Sequence, residues 1–242
     1  MRPDVDAHRP DQTAHRSVRG VGWSSLAALT AMAAAHTLGA EVVDPLIDPV
    51  SFYAFVPGGG EAILVGGTIL AAVGVALVVR AYRAGLATGR VPALAMATFA
   101  VAMVLVGVFP TDPPGVATTF SAAVHRTSAA AAFVVLPVVG HCVARAVPSP
   151  RSLAPRRLRR ATVGLAVLVV AFLAVHLPLA AVGSGIVAFG LLERVGFVLM
   201  IGYLFLLADT LDREEIHSVP TPTPTAGPAA GVSGPRPVDL AV

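Results

Sequence analysis

Polar and apolar positions along this chain alternate in long blocks. Apolar runs of near-constant length are separated by short segments rich in arginine, aspartate, proline and glycine. Each block approaches the ~20 residues, at ~1.5 Å each, that a helix needs to cross a hydrocarbon core. The pattern predicts six helical spans: Val21–Ala40, Ala62–Val79, Val91–Phe109, Ala122–Ala144 with Pro137 straining its middle, Ala161–Ala180 and Ile186–Ala208. The short-period alternation of a membrane barrel strand is missing. The expected fold class is all-α, a polytopic integral membrane bundle of six transmembrane helices. Residues 1–19 and 211–242 have no apolar period. They are expected to be disordered tails, the second rich in Pro, Thr and Gly, flanking a transmembrane domain over residues 20–210.

Composition agrees. Of 242 residues, 55% are hydrophobic and 13% charged, about half the charged fraction of a soluble domain, and mean hydropathy is +0.78. All 17 basic residues are arginine, a bias that the Ala-, Val- and Pro-rich composition ascribes to codon usage. The net charge of +3 does not imply nucleic-acid binding, because the arginines sit in loops beside spans. Arg80, Arg83 and Arg90 lie between spans two and three, and Arg145, Arg151, Arg156, Arg157, Arg159 and Arg160 between spans four and five. The alternate loops hold Glu41, Asp44, Asp48 and Asp112. Positive-inside placement therefore puts both termini in the cytoplasm and the chain in the cell membrane as a multi-pass protein. A cleaved signal peptide ending near AMAAAHTLGA is a rival reading of the first span. The spacing Ala27, Ala31, Ala35, Gly39 offers a close helix contact. Cys142 is alone, so neither a disulfide nor a CxxC site is available.

Depth carries more information. Counted from the cytoplasmic boundary, His36, His176 and Glu193 lie roughly 22–24 Å in, while Asp112, His125, Arg126 and Glu61 fall at roughly 28 Å. Glu193-Arg194 belongs inside the last span, since a helix starting after it would be too short to cross. The expectation is a two-tier polar cluster in the outer leaflet above an almost uncharged inner bundle, His141 excepted. Ionisable groups at such depth cost several kcal/mol unless paired or hydrated. Arg126 is the expected partner of Glu193 or Asp112, and Asp112 in VFPTDPPG is also within reach of His125. The candidate ligand-binding set is His36, Asp112, His125, Arg126, His176, Glu193 and Arg194.

No cofactor is expected. A three-histidine zinc site on His36, His125 and His176 lacks the usual ligand spacing, and one inner histidine, His141, does not suffice for stacked haems. PGGG at Pro57–Gly60 is a turn without the Lys-Ser/Thr of a phosphate loop, and no GxSxG nucleophile motif occurs. PVSFYAFVPGGG before span two, GVFPTDPPG after span three, VHR opening span four and GLLERV opening span six together resemble the bacterial six-span family catalogued as "domain of unknown function 998". The resemblance covers roughly residues 20–210 and implies an integral membrane protein without an agreed activity. Ser51, Tyr53, Phe109 to Asp112, His125, Glu193 and Arg194 match its outer-side motifs.

The leading functional expectation is an outward-facing polar pocket covered by the Ser51–Pro57 and Pro110–Thr119 loops. It would bind a small or lipid-derived ligand, an anion held by Arg126 and Arg194. One alternative is an outer-leaflet enzyme in which His125 and Asp112 or Glu193 exchange a proton with a lipid. The other is a structural or sensory subunit whose ion pairs only hold the bundle. Partners are membrane lipid and a small-molecule or lipid ligand, and no nucleic acid.

Overall fold

The computed structural model describes residues 9–113, 115–147, 153–181 and 189–217. Six long helices carry the chain: α1 (Arg9–Leu38), α2 (Gly59–Arg83), α3 (Val91–Val108), α4 (Phe120–Ala146), α5 (Leu153–Ala181) and α6 (Phe189–His217), with a short 3-10 helix at Val50–Phe55 between α1 and α2. Local chemistry sets several ends. Gly58, at φ 80°, turns the chain into α2, Pro92 opens α3, and the Thr119 hydroxyl accepts the Ala122 N–H at the start of α4. Helix α4 runs through Pro137 without interruption. Helix α1 begins at Arg9, so residues 9–19 of the expected tail are helical. Residues 1–8 and 218–242, where the rest of the expected tails falls, lie outside the described residues.

Each helix packs on its neighbour in sequence, and α1 closes the ring against α6. Leu70, Leu77, Met96, Phe99, Leu136, Met200, Leu204 and Leu207 fill the centre, all essentially inaccessible to solvent. A second, smaller cluster of Ala35, Val43 and Tyr53 sits at the end where α1 meets the 3-10 helix. On α1, Ala28 and Ala35 are fully buried and Ala31 faces Gly66 of α2, whereas Ala27 is exposed. The small-residue contact is thus real but turned by one position. Helices α2 and α3 approach more closely still. A Cβ at Gly67 would sit 2.5 Å from the Met103 carbonyl oxygen, and one at Gly107 2.5 Å from the Leu64 Cα. Gly67→Ala should therefore push the two helices apart and cost about 1–3 kcal/mol, read as a lower melting temperature in detergent.

Five helices have the length and hydropathy of a membrane span: Gly59–Arg83, Val91–Val108, Phe120–Ala146, Pro155–His176 and Phe189–Glu214, with mean hydropathies from 1.8 to 2.6. Helix α1 is not among them over its described residues, where Ser24, Ser25, Thr30, His36 and Thr37 interrupt the apolar positions. The outer surfaces are apolar: Leu94, Val101, Val134, Val163, Val167, Val170 and Val198 are all exposed. Only lipid suits so much unpartnered aliphatic surface on helices of this length. The chain is a multi-pass helical membrane protein.

At the end bearing Arg80 and Arg83 the bundle is not free of charge. The Arg80 guanidinium pairs with Asp212, joining α2 to α6, and Asp212 is buried. Asp209 and Arg213 pair one turn apart on α6. Depth arithmetic missed the buried pair because it ended the last span at Ala208, whereas α6 continues to His217.

Candidate functional site

Helix α6 starts where the segment after α1 folds over it. The Gly190 and Leu191 N–H groups, which have no partner within a helix N-terminus, donate to the carbonyls of Ile47 and Leu46 at 3.1 Å each. Asp44 and Asp48 shape that segment. The Asp44 N–H donates to Asp48 Oδ2 and the Leu46 N–H to Asp44 Oδ1, each at 2.8 Å. Gly190 is required by this fit, since a Cβ there would lie 2.2 Å from the Asp48 carbonyl oxygen.

Arg194 and Glu193 fasten this roof from below. One Arg194 nitrogen donates to the Asp48 and Gly190 carbonyls at 3.0 and 2.9 Å, and the other to the Tyr53 hydroxyl at 2.7 Å. The guanidinium carbon also stands 5.3 Å from the Tyr53 ring centre, within cation–π range. His36 of α1 meets the same hydroxyl, with Nδ1 2.6 Å away. Glu193 Oε2 accepts the Val50 N–H at 2.7 Å. His36, Glu193 and Arg194 are therefore assembled around the fully buried Tyr53.

Asp112 and His125 form a separate layer on α3 and α4. Asp112 accepts the Thr119 N–H and hydroxyl, both at 2.7 Å. It ties back the first residue of α4 as the acid of a capping box does, from the preceding loop instead of the following turn. Those bonds, the backbone one foremost, hold its carboxyl below the ordinary value of 3.8, with Arg126 adding a smaller Coulombic pull. A carboxyl so lowered stabilises the fold fully above its ordinary value and loses that contribution as pH falls through the lowered one. The melting-temperature gap between wild type and Asp112→Asn should accordingly be widest near neutrality and close on acidification below about pH 4.

His125 does not reach Asp112. Its Nδ1 lies 3.0 Å from the Val106 carbonyl and 2.9 Å from that of Phe109, at the open C-terminal end of α3. Ser121 adds a bond to the Pro110 carbonyl at 2.8 Å. Arg126 is exposed and donates to the Thr118 hydroxyl at 3.3 Å, so its expected pairing with Asp112 or Glu193 is replaced by a side-chain contact to its own loop. His176 stands apart again. Its ring stacks between Phe172 and Phe189, at 5.1 and 5.2 Å, and its Nδ1 is buried without a hydrogen bond among the described residues. His36, His125 and His176 have different surroundings, and among the described residues no three His, Cys, Asp or Glu side chains converge on a metal-sized space.

Between these layers lies a cavity of about 120 Å³. Ala28, Ala31, Met32 and Ala35 of α1, Ile63, Gly66 and Gly67 of α2, Met103 and Val106 of α3, Ala129, Ala132 and Phe133 of α4, and Phe197 and Met200 of α6 make its wall. Val50 and Ser51 of the 3-10 helix close one side. The polar side chains in the wall are Ser51, His125 and Glu193, and neither Arg126 nor Arg194 borders it.

A family model described as "Protein of unknown function (DUF998)" matches residues 24–209. The chain belongs to the DUF998 family. Neither a curated protein nor a solved structure matches it. The DUF998 match spans the whole ring from α1 to α6 and all seven expected site residues. Within it the structure brings His36, Glu193 and Arg194 into one group, Asp112 near His125 in a second, and leaves Arg126 and His176 elsewhere. Tyr53 takes the Arg194 and His36 hydrogen bonds of this layer and is absent from the seven expected site residues. Its signal was present as the lone tyrosine of a loop between prolines, PVSFYAFVP.

Proposed function

We propose that this DUF998 protein spans the membrane six times, with both termini cytoplasmic, and binds a small or lipid-derived molecule in its outer half. The sixth span is α1. It lies in the ring between α2 and α6, both long enough to cross, and packs against each, so it shares their depth. The arginines of the α2–α3 junction, the C-terminal end of α4, the N-terminal part of α5 and Arg213 gather at one end of the ring. Glu41, Asp44, Asp48 and Asp112 gather at the other, which supports the arginine end facing the cytoplasm.

The carrying observation is the cavity. Five helices surround a space of about 120 Å³ in which a carboxyl group, an imidazole and the Ser51 hydroxyl face an otherwise aliphatic and aromatic wall. Protein interiors hold few voids larger than a water, and ligand sites are mostly apolar with a few placed polar groups. The roof over residues 44–55 closes the site on the outer side and is held by Glu193, itself part of the wall.

The test is native mass spectrometry of the full chain extracted from its membrane. Wild type should retain a co-purifying small molecule, and Ala129→Leu, which fills the space from α4, should lose it while keeping its helical content. Equal retention by both would place the molecule elsewhere. The structural reading has one specific support: Arg194 and His125 spend their hydrogen bonds within the protein, on backbone carbonyls and the Tyr53 hydroxyl. It requires that wild type and Ala129→Leu both come out empty.

A further inference from the structure

We infer that the polar end of the cavity is built for a hydrogen-bond-donating cation, an ammonium group on a small apolar body. This rests on the cavity being a binding site and names the chemistry of its occupant.

The tautomer of His125 sets one half of the recognition. Both groups facing its Nδ1 are carbonyl oxygens, of Val106 and Phe109, and two acceptors can be satisfied there only if Nδ1 carries the hydrogen. In the neutral ring Nε2 is then left with its lone pair. His125 borders the cavity and makes no other hydrogen bond. It offers an acceptor.

Glu193 supplies the other half. Its Oε2 accepts the Val50 N–H, and its Oε1 has no hydrogen bond among the described residues. The adjacent cation, Arg194, spends its nitrogens on Asp48, Gly190 and Tyr53 and does not border the cavity. The wall thus has two acceptor positions, on α4 and α6, beside the Ser51 hydroxyl, and among the described residues no cationic side chain. An anion would meet a single hydroxyl donor and a carboxyl group of its own charge. An ammonium would supply donors to both positions and the charge that a carboxylate at this depth requires. The rest of the wall suits a short hydrocarbon. A dry pocket of ~150 Å³ accommodates benzene, so about 120 Å³ takes a body of a few carbons.

The probes are n-butylammonium, n-butanol and butyrate, which share one body and differ at the polar end. They are titrated at pH 7 against the full chain in nanodiscs of uncharged lipid, with the melting temperature as readout. Butylammonium should give the largest saturable rise, butanol a smaller one and butyrate none. Glu193→Gln keeps an acceptor for the Val50 N–H, so the roof persists; it should weaken the amine by about tenfold or more and the alcohol, which can still donate to His125, by much less. Glu193→Asp, which keeps the charge, should retain the preference for the amine and covers the case in which the glutamine variant does not fold. If the alcohol matches or exceeds the amine, and Ala129→Leu abolishes both, the cation assignment is wrong while the cavity stands as a site. A preference for butyrate overturns the assignment outright. If no probe gives a saturable shift that Ala129→Leu removes, both the assignment and the binding site fall.

Discussion

A single methyl group added at Gly140 is expected to be the most damaging small change in the bundle. Its Cβ would lie 1.6 Å from the Tyr203 hydroxyl oxygen and 2.8 Å from Thr162 Oγ1. Those two oxygens form a buried 2.8 Å hydrogen bond that joins α5 to α6 beside α4. The methyl has nowhere to go, because Val139, Val143 and Leu204 around it are fully buried. Gly140→Ala should combine overpacking with loss of a buried hydrogen bond, about 3–5 kcal/mol together. Tyr203→Phe by itself should cost only about 1–2 kcal/mol. Placed in the Gly140→Ala background it removes the clashing oxygen and should recover part of the loss. Thermal melts of the four proteins give the coupling directly. A Gly140→Ala variant that melts with wild type would show that the three helices do not meet this closely.

The second large effect is expected at Arg194. One guanidinium serves two backbone carbonyls and a hydroxyl while lying over the Tyr53 ring, a task for a planar fork of donors. Arg194→Met should free the roof and cost about 2–4 kcal/mol, since several charge-assisted bonds go at once. Arg194→Lys should recover little, because a point charge cannot reach three acceptors in different directions. Hydrogen exchange provides the readout: the Val50, Gly190 and Leu191 amides, bonded across the roof in wild type, should exchange faster in both variants. Exchange rates unchanged in Arg194→Met would mean that the roof is held without it.

These two sites differ in how far sequence could anticipate them. Five of the six expected spans coincide with helices long and apolar enough to cross, because lipid imposes a length and an apolar composition on every crossing segment. Depth counting was equally physical, and it placed His36 and Glu193 at one level, where they meet the same roof. Partners were harder. The sequence suggested charge for charge, Arg126 with Asp112 or Glu193, whereas the structure answers charge with backbone. Arg194 and His125 take carbonyls, Glu193 takes an N–H, and Asp112 takes the N–H and hydroxyl of Thr119. Backbone groups are the same in every residue, so no residue pattern announces them. Helix ends supply them in quantity, four bare donors or acceptors at each terminus, and Asp112, His125, Glu193 and Arg194 lie where helix ends do. Gly140 is different again. Nothing local distinguishes it from the other 22 of the chain's 23 glycines, and its importance comes from Tyr203, 63 positions away along the sequence.

The most direct test is a high-resolution density map of the full chain purified with its native lipid. Non-protein density should occupy the space between α1, α2, α3, α4 and α6, in contact with the Glu193 carboxyl and beneath an intact roof of residues 44–55. A map in which Met32, Met103, Phe133 and Phe197 have collapsed into that space, with Glu193 turned away from it, would contradict the existence of a binding site.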